Sequence, residues 1–145
     1  MAKSLDSSLY YPIQANTLRI GQYALLHDKP CKIVQIVRSQ PGKHGPAKLV
    51  FVGLDVFTGK KYEDCCPAKH MMKAPEMSKN EYEVISVSDE IVVIEKDGSF
   101  PEMQLPKNDI GKKMSNMFEN EDQLKITVLN AMNQEAIVAV KKIKN

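Results

Sequence analysis

Apolar positions in the first half of the chain come in short bursts with no helical repeat of useful length. Thr17 to Leu26, Cys31 to Val37, Leu49 to Phe57 and Tyr62 to Cys66 are rich in Val, Ile, Leu, Phe and Tyr and have the length of strands. Asp28-Lys29-Pro30 and Thr58-Gly59 supply turn chemistry between them. Several short strands with tight turns predict a small barrel, because such a sheet must close or curl to hide its edges. From His70 to Pro75 the chain reads as a short extended connector, with Pro67 and Pro75 as punctuation. A domain boundary is expected near Pro75 to Ser78.

The second half keeps a strand pattern and then changes period. Tyr82 to Val87, Ile91 to Glu95 and Ser99 to Leu105 read as strands, the last two joined at Asp97-Gly98, a strong hairpin signal. Beyond Asn108, the residues Ile110, Met114, Met117 and Phe118 recur at i, i+4, i+7 and i+8, one face of a helix capped by Asn108 or Asp109. Strands return at Leu124 to Leu129 and Ala136 to Ile143. Three strands, a helix and two strands is the element order of an OB-fold, a barrel that often binds oligonucleotides. The aromatic residues after position 76 are only Tyr82, Phe100 and Phe118, and Phe118 falls on the helix's apolar face. An aromatic stacking platform for single strands is therefore not expected, and backbone or shape contact is the better reading.

Between the second and third bursts lies Gln-Pro-Gly-Lys-His-Gly-Pro-Ala-Lys, residues Gln40 to Lys48, the expected tip of a long hairpin. From Arg38 to Lys48 there are three fixed positive charges, one histidine and no carboxylate. Gly42 and Gly45 permit positive φ beside Lys43 and His44, while Pro41 and Pro46 stiffen the shoulders. A phosphate-cradling Walker loop is excluded by spacing, since no second glycine precedes Lys43 and no Ser or Thr follows it. A catalytic lysine would need a desolvated ammonium, and no apolar residue stands between Gln40 and Ala47. The competing reading of such a tip is a plain solvated turn.

Composition adds little except in its distribution. With 145 residues, 43% hydrophobic and 26% charged, the chain is bounded to one or two small domains. Neither a secretory leader nor a membrane span is legible, so a cytoplasmic chain is expected, with a polar N-terminal tail. Residues 1–76 carry 11 Lys and Arg against 6 Asp and Glu, and residues 77–145 carry 9 against 12. The first half is thus the one suited to a polyanion. The cysteines are Cys31, Cys65 and Cys66. Vicinal thiols on a strand point to opposite faces and lack metal-ligand spacing even with His70 nearby, so structural thiols and no metal are expected.

Gly42-Lys43-His44-Gly45 followed by Ala47-Lys48 resembles the modification loop of the eukaryotic translation initiation factor 5A family, the hypusine-containing factors. Pro30-Cys31-Lys32-Ile33-Val34, Val52 to Asp64, Cys66-Pro67, His70, Ile126 to Leu129 and Glu135 to Lys141 resemble it in order as well. The likeness runs from about Thr17 onward. It implies an all-β, mainly β, fold with an N-terminal SH3-like barrel and a C-terminal OB-fold barrel with one helix. The division expected is a flexible tail over 1–16, the SH3-like barrel with the hypusine loop over 17–76 and the OB-fold domain over 77–145.

The same resemblance implies a protein that is not an enzyme but a translation factor. Lys43 would be extended by an aminobutyl group from spermidine, by deoxyhypusine synthase, and then hydroxylated by deoxyhypusine hydroxylase. That covalent hypusine would be its only cofactor-like group. Gly42, His44 and Gly45 would shape the loop for modification and tRNA entry. Arg38, Lys48, Lys60 and Lys61 are the candidate RNA contacts. The implied partners are the large ribosomal subunit and peptidyl-tRNA, and the implied effect is peptide bond formation at stalling sequences such as proline runs. Departures from the family pattern are Gln40 for a usual lysine and prolines at Pro41 and Pro46, which lower the loop's charge and stiffen it. The alternatives are a general RNA-binding pair of barrels with unmodified Lys43, and an enzyme using Lys43 or His44.

Overall fold

A computed structural model of the chain describes residues 6–40 and 47–143. Eleven strands and one α-helix make up most of them. The strands are β1 (Tyr10–Gln14), β2 (Tyr23–Leu26), β3 (Lys29–Ser39), β4 (Lys48–Asp55), β5 (Lys61–Pro67) and β6 (Met71–Pro75). They continue as β7 (Met77–Val87), β8 (Ile91–Ile94) and β9 (Glu102–Gln104), then α1 (Asp109–Glu119), β10 (Leu124–Ala131) and β11 (Gln134–Lys142). The chain divides into two compact units and passes from one to the other between Met77 and Ser78.

The first unit is the SH3-like barrel. Its main sheet is an antiparallel meander in the order β2-β3-β4-β5, accompanied by the pair β1-β6. His27 and Asp28, at φ of 50° and 63°, form the two-residue turn between β2 and β3, a backbone that matches the twist of the strands it joins. A bulge between Ile33 and Gln35 in β3 re-aims the long hairpin beyond it. The core is fully buried Ala24, Leu26, Cys31, Ile33 and Phe51, with Leu18, Leu49 and Met72 around them. Gly53 is required there: a Cβ would stand 2.9 Å from Cys31 Cβ.

Three expectations for this half are corrected. The tail over 1–16 does not hold for its described part, because Tyr10–Gln14 is strand β1, paired from Tyr10↔Pro75 to Gln14↔Met71, and Ala15 is fully buried. The connector at His70 to Pro75 is likewise a paired strand, β6. Each segment is too short and mixed to signal a strand alone, and each becomes one only through the other. The expected strand from Thr17 is shorter as well: Ala15–Thr17 is a 3-10 turn, and β2 starts at Tyr23.

The second unit is the OB-fold barrel, with strand order β11-β10-β7-β8-β9 and α1 between β9 and β10. Asn108 caps α1, its Oδ1 accepting the amides of Ile110 at 3.1 Å and Gly111 at 3.4 Å. Met114 is fully buried and Ile110 packs beside it against Val92, Ile94, Ile126, Val128 and Ile137. Phe118, on the apolar face the periodicity predicts, is only half-buried. The Asp97-Gly98 turn forms as expected, with Lys96 bridged to Ser99 and both turn residues at positive φ. Among the described residues no helix is long and apolar enough to cross a membrane.

Candidate functional site

The loop the sequence singles out is rooted on β3 and β4. Their register runs from Cys31↔Asp55 to Ser39↔Lys48, leaving residues 40–47 as the connection. Of these, Pro41, Gly42, Lys43, His44, Gly45 and Pro46 lie outside the described residues. The root itself is well anchored. Ala47 is nearly buried, and its carbonyl accepts the amide of Ala68 at 2.9 Å, which fastens the C-terminal shoulder of the loop to the turn after β5. Beside it Lys48 pairs with Pro67 across the β4-β5 ladder.

The four candidate cations separate into two places. Arg38 pairs with Leu49, and Leu49 neighbours Lys48, so alternation puts Arg38 and Lys48 on opposite faces of the hairpin at the loop's root. Lys60 and Lys61 sit at the other end of β4, where Lys61 pairs with Leu54. Six residue steps separate Lys48 from Leu54, about 20 Å of strand. Lys60 is further occupied by the Tyr62 ring, with its ammonium 5.2 Å from the centroid. At that far end the register brings in a cation not singled out from the sequence: Lys32 pairs with Leu54 from the side opposite Lys61. Lys32, Leu54 and Lys61 therefore share one outward face, with the two lysines about 10 Å apart. Only strand register could reveal this, since 29 positions separate them in the chain.

The turn before Lys60 is built by Asp55, the buried carboxylate of this unit. Its Oδ1 accepts the amides of Phe57 at 2.8 Å and Thr58 at 3.3 Å, and its own amide donates to the Lys60 carbonyl at 2.9 Å. Asp55 thus holds the Phe57 to Lys60 backbone in place rather than offering a charge to a ligand.

Other chemistry in the first unit is quiet. A cleft of about 360 Å³ is lined by His27, His70, Asp64, Cys65, Cys66 and Met71, among others. Burial first, then Asp64 and Cys65, push the Cys66 thiol above its ordinary range, the reverse of what an activated nucleophile needs. His27 is tied through Nε2 to the Glu63 carbonyl at 2.8 Å. The cysteines are free thiols, Cys31 buried and Cys65 exposed. Among the described residues no group of three or more His, Cys, Asp or Glu side chains could hold a metal ion.

Comparison with known proteins adds to this geometry. Residues 8–70 match the family described as translation initiation factor 5A-like, N-terminal. Residues 77–141 match the one described as eukaryotic elongation factor 5A hypusine, DNA-binding OB fold. A eukaryotic translation initiation factor 5A from Dictyostelium discoideum is 38% identical over 141 residues, 96% of this chain and 89% of that protein. The chain belongs to the translation initiation factor 5A family. Another member, from Spodoptera exigua, is 36% identical over 138 residues, 93% of this chain and 86% of its own length. A solved initiation factor 5A family structure from Naegleria fowleri superposes with a TM-score of 0.80 at 41% identity, covering 92% of this chain and 99% of that one. The factor 5A structure from Methanococcus jannaschii, at 24% identity and a TM-score of 0.75, shares the fold. The chain is thus a member of a translation factor family whose hypusine domain implies a lysine modification derived from spermidine. Both matched families are described as translation factors.

Proposed function

We propose that Lys43 is the hypusine site. It is the fourth of the eight residues that join Ser39 and Lys48, and the observation that supports the reading is that β3 and β4 stay paired up to those two residues. Deoxyhypusine synthase adds the aminobutyl group from spermidine and deoxyhypusine hydroxylase completes the residue, with Gly42, His44 and Gly45 giving both enzymes access. The lengthened side chain is thin, flexible and multiply cationic, so it enters an RNA-walled site that a protein backbone could not. Each ammonium displaces a counterion from phosphate. On the large subunit it holds the acceptor end of peptidyl-tRNA for bond formation at stalling sequences such as proline runs, a positioning effect with no chemistry by the factor itself.

The domain ending at residue 76 presents the loop, the domain from residue 77 makes the gentler contacts, and the factor works in the cytoplasm. Arg38 and Lys48 support the loop from either face of the hairpin. Lys60 and Lys61, joined by Lys32, form a separate cationic patch for rRNA phosphate. The test is peptide mass spectrometry across Arg38 to Lys48 from native cells, together with growth and proline-run translation of Lys43→Arg. A polyamine-derived mass gain on Lys43 and a translation defect in Lys43→Arg are expected. An unmodified Lys43, or full function of the variant, overturns the reading and leaves a pair of barrels that binds RNA.

A further inference from the structure

OB sheets that bind nucleic acid offer aromatic rings and positive charge on the outward side of their strands. Here the outward side of β7, β8 and β9 offers apolar side chains and negative charge. Alternation buries Val92 and Ile94 in the core and turns Ile91, Val93 and Glu95 outward. The ladder sets Ile91 beside Gln104 and Val93 beside Glu102. Ile85, Ile91 and Phe100 are 48%, 39% and 59% exposed, large for apolar side chains gathered on one hairpin and its neighbour.

The charge around them has one sign. From Glu83 to Gln104 the chain carries Glu83, Asp89, Glu90, Glu95, Asp97 and Glu102 against Lys96 alone. The lysines of β10 and β11 are engaged outside 89–102. Lys125 and Lys141 pair with Glu81 at 3.2 Å each, and Lys142 pairs with Asp122 at 3.1 Å. Lys96 lies over the Tyr82 ring, 5.8 Å from its centroid.

Phosphate over 89–102 would meet five carboxylates against one lysine, Lys96, which already lies on the Tyr82 ring. A chain of opposite charge gains instead, because complementary potential steers its approach. Phe100 and Ile91 then provide the apolar area that holds it. We propose that the outward face of β7, β8 and β9 docks a basic protein segment, rich in Arg or Lys with one apolar residue seated on Phe100 and another on Ile91, and that nucleic acid does not bind there. This goes beyond the role of Lys43 and does not depend on it.

The test uses the full chain, ¹⁵N-labelled, titrated separately with a peptide of alternating arginine and leucine, a peptide of alternating glutamate and leucine, and an oligouridine. The arginine peptide should shift the amides of β8, β9 and residues 95–101, and the glutamate peptide and oligouridine should leave them unmoved. Phe100→Ser should weaken the arginine peptide about tenfold. Asp97→Lys with Glu102→Lys should weaken it comparably and flatten its salt dependence. All three residues are exposed, and an unchanged melting temperature confirms an intact fold. Shifts of β8 and β9 by oligouridine, equal binding of the two peptides, or parent-like affinity in both variants overturns the proposal.

Discussion

The amide of Ala68 donates to the carbonyl of Ala47 at 2.9 Å, so the last described residue before β4 is fastened to the turn that follows β5. This bond sits at the root of the loop that carries Lys43, and Ala47 is only 9% exposed. Ala68→Pro removes the donor. It should cost about 1 kcal/mol and reduce the extent of Lys43 modification, checked by thermal unfolding and by mass analysis after incubation with the modifying enzyme and spermidine.

Gly111 lies inside α1, where alanine is ordinarily the better residue by about 1 kcal/mol. A Cβ there would run into the Pro106 carbonyl oxygen, a backbone atom that cannot swing aside. Gly111→Ala should therefore destabilise the protein by about 3 kcal/mol, against its helix propensity. Chemical denaturation decides the sign.

Cys31 and Cys65 should differ sharply toward a thiol reagent. Burial, followed by the charge of Asp55, pushes the Cys31 thiol from 9.0 up to about 11. Cys65 is exposed. In the native protein iodoacetamide should label Cys65 readily and Cys31 only after unfolding. The raised value also fixes a pH dependence. Between the unfolded value and about 11, the unfolded chain loses its Cys31 proton while the folded chain keeps it. Stability should fall as pH climbs through that window. Cys31→Ala should lessen the alkaline loss, as read from denaturation at graded pH.

Separation of the cations along β4 predicts separable effects. Arg38→Ala with Lys48→Ala alters the loop's root, whereas Lys32→Ala with Lys61→Ala alters the far patch. Both pairs should lessen the salt dependence of ribosome binding, by about one counterion per lost phosphate contact. Only the first pair should also slow modification of Lys43.

Removing the Asp55 carboxylate leaves the amides of Phe57 and Thr58 without their acceptor. Asp55→Ala should lower stability by about 2 kcal/mol. Asp55→Asn, which keeps an acceptor oxygen, should recover a measurable part of that loss in the same denaturation series.

The sequence by itself determined what depends on local chemistry. The periodicity of Ile110 and Met114 with a cap at Asn108 specified α1, Asp97-Gly98 specified a hairpin, and Gly42 to Gly45 carried the likeness of the modification loop. Strand runs of branched and aromatic residues named β3, β4 and β5 to within a few positions. Partnership between distant strands could not be read this way. Tyr10–Gln14 and Met71–Pro75 have weak patterns and become β1 and β6 only because each satisfies the other's backbone groups. Register alone placed Lys32 beside Lys61 and drew Arg38 and Lys48 to opposite faces, because a shift of one residue would exchange every side chain between faces. The same rule turned Ile91 outward and buried Val92. A side chain's type is written in the chain, whereas the face it shares and the charges it meets are set when strands far apart in sequence come to lie within one hydrogen bond of each other.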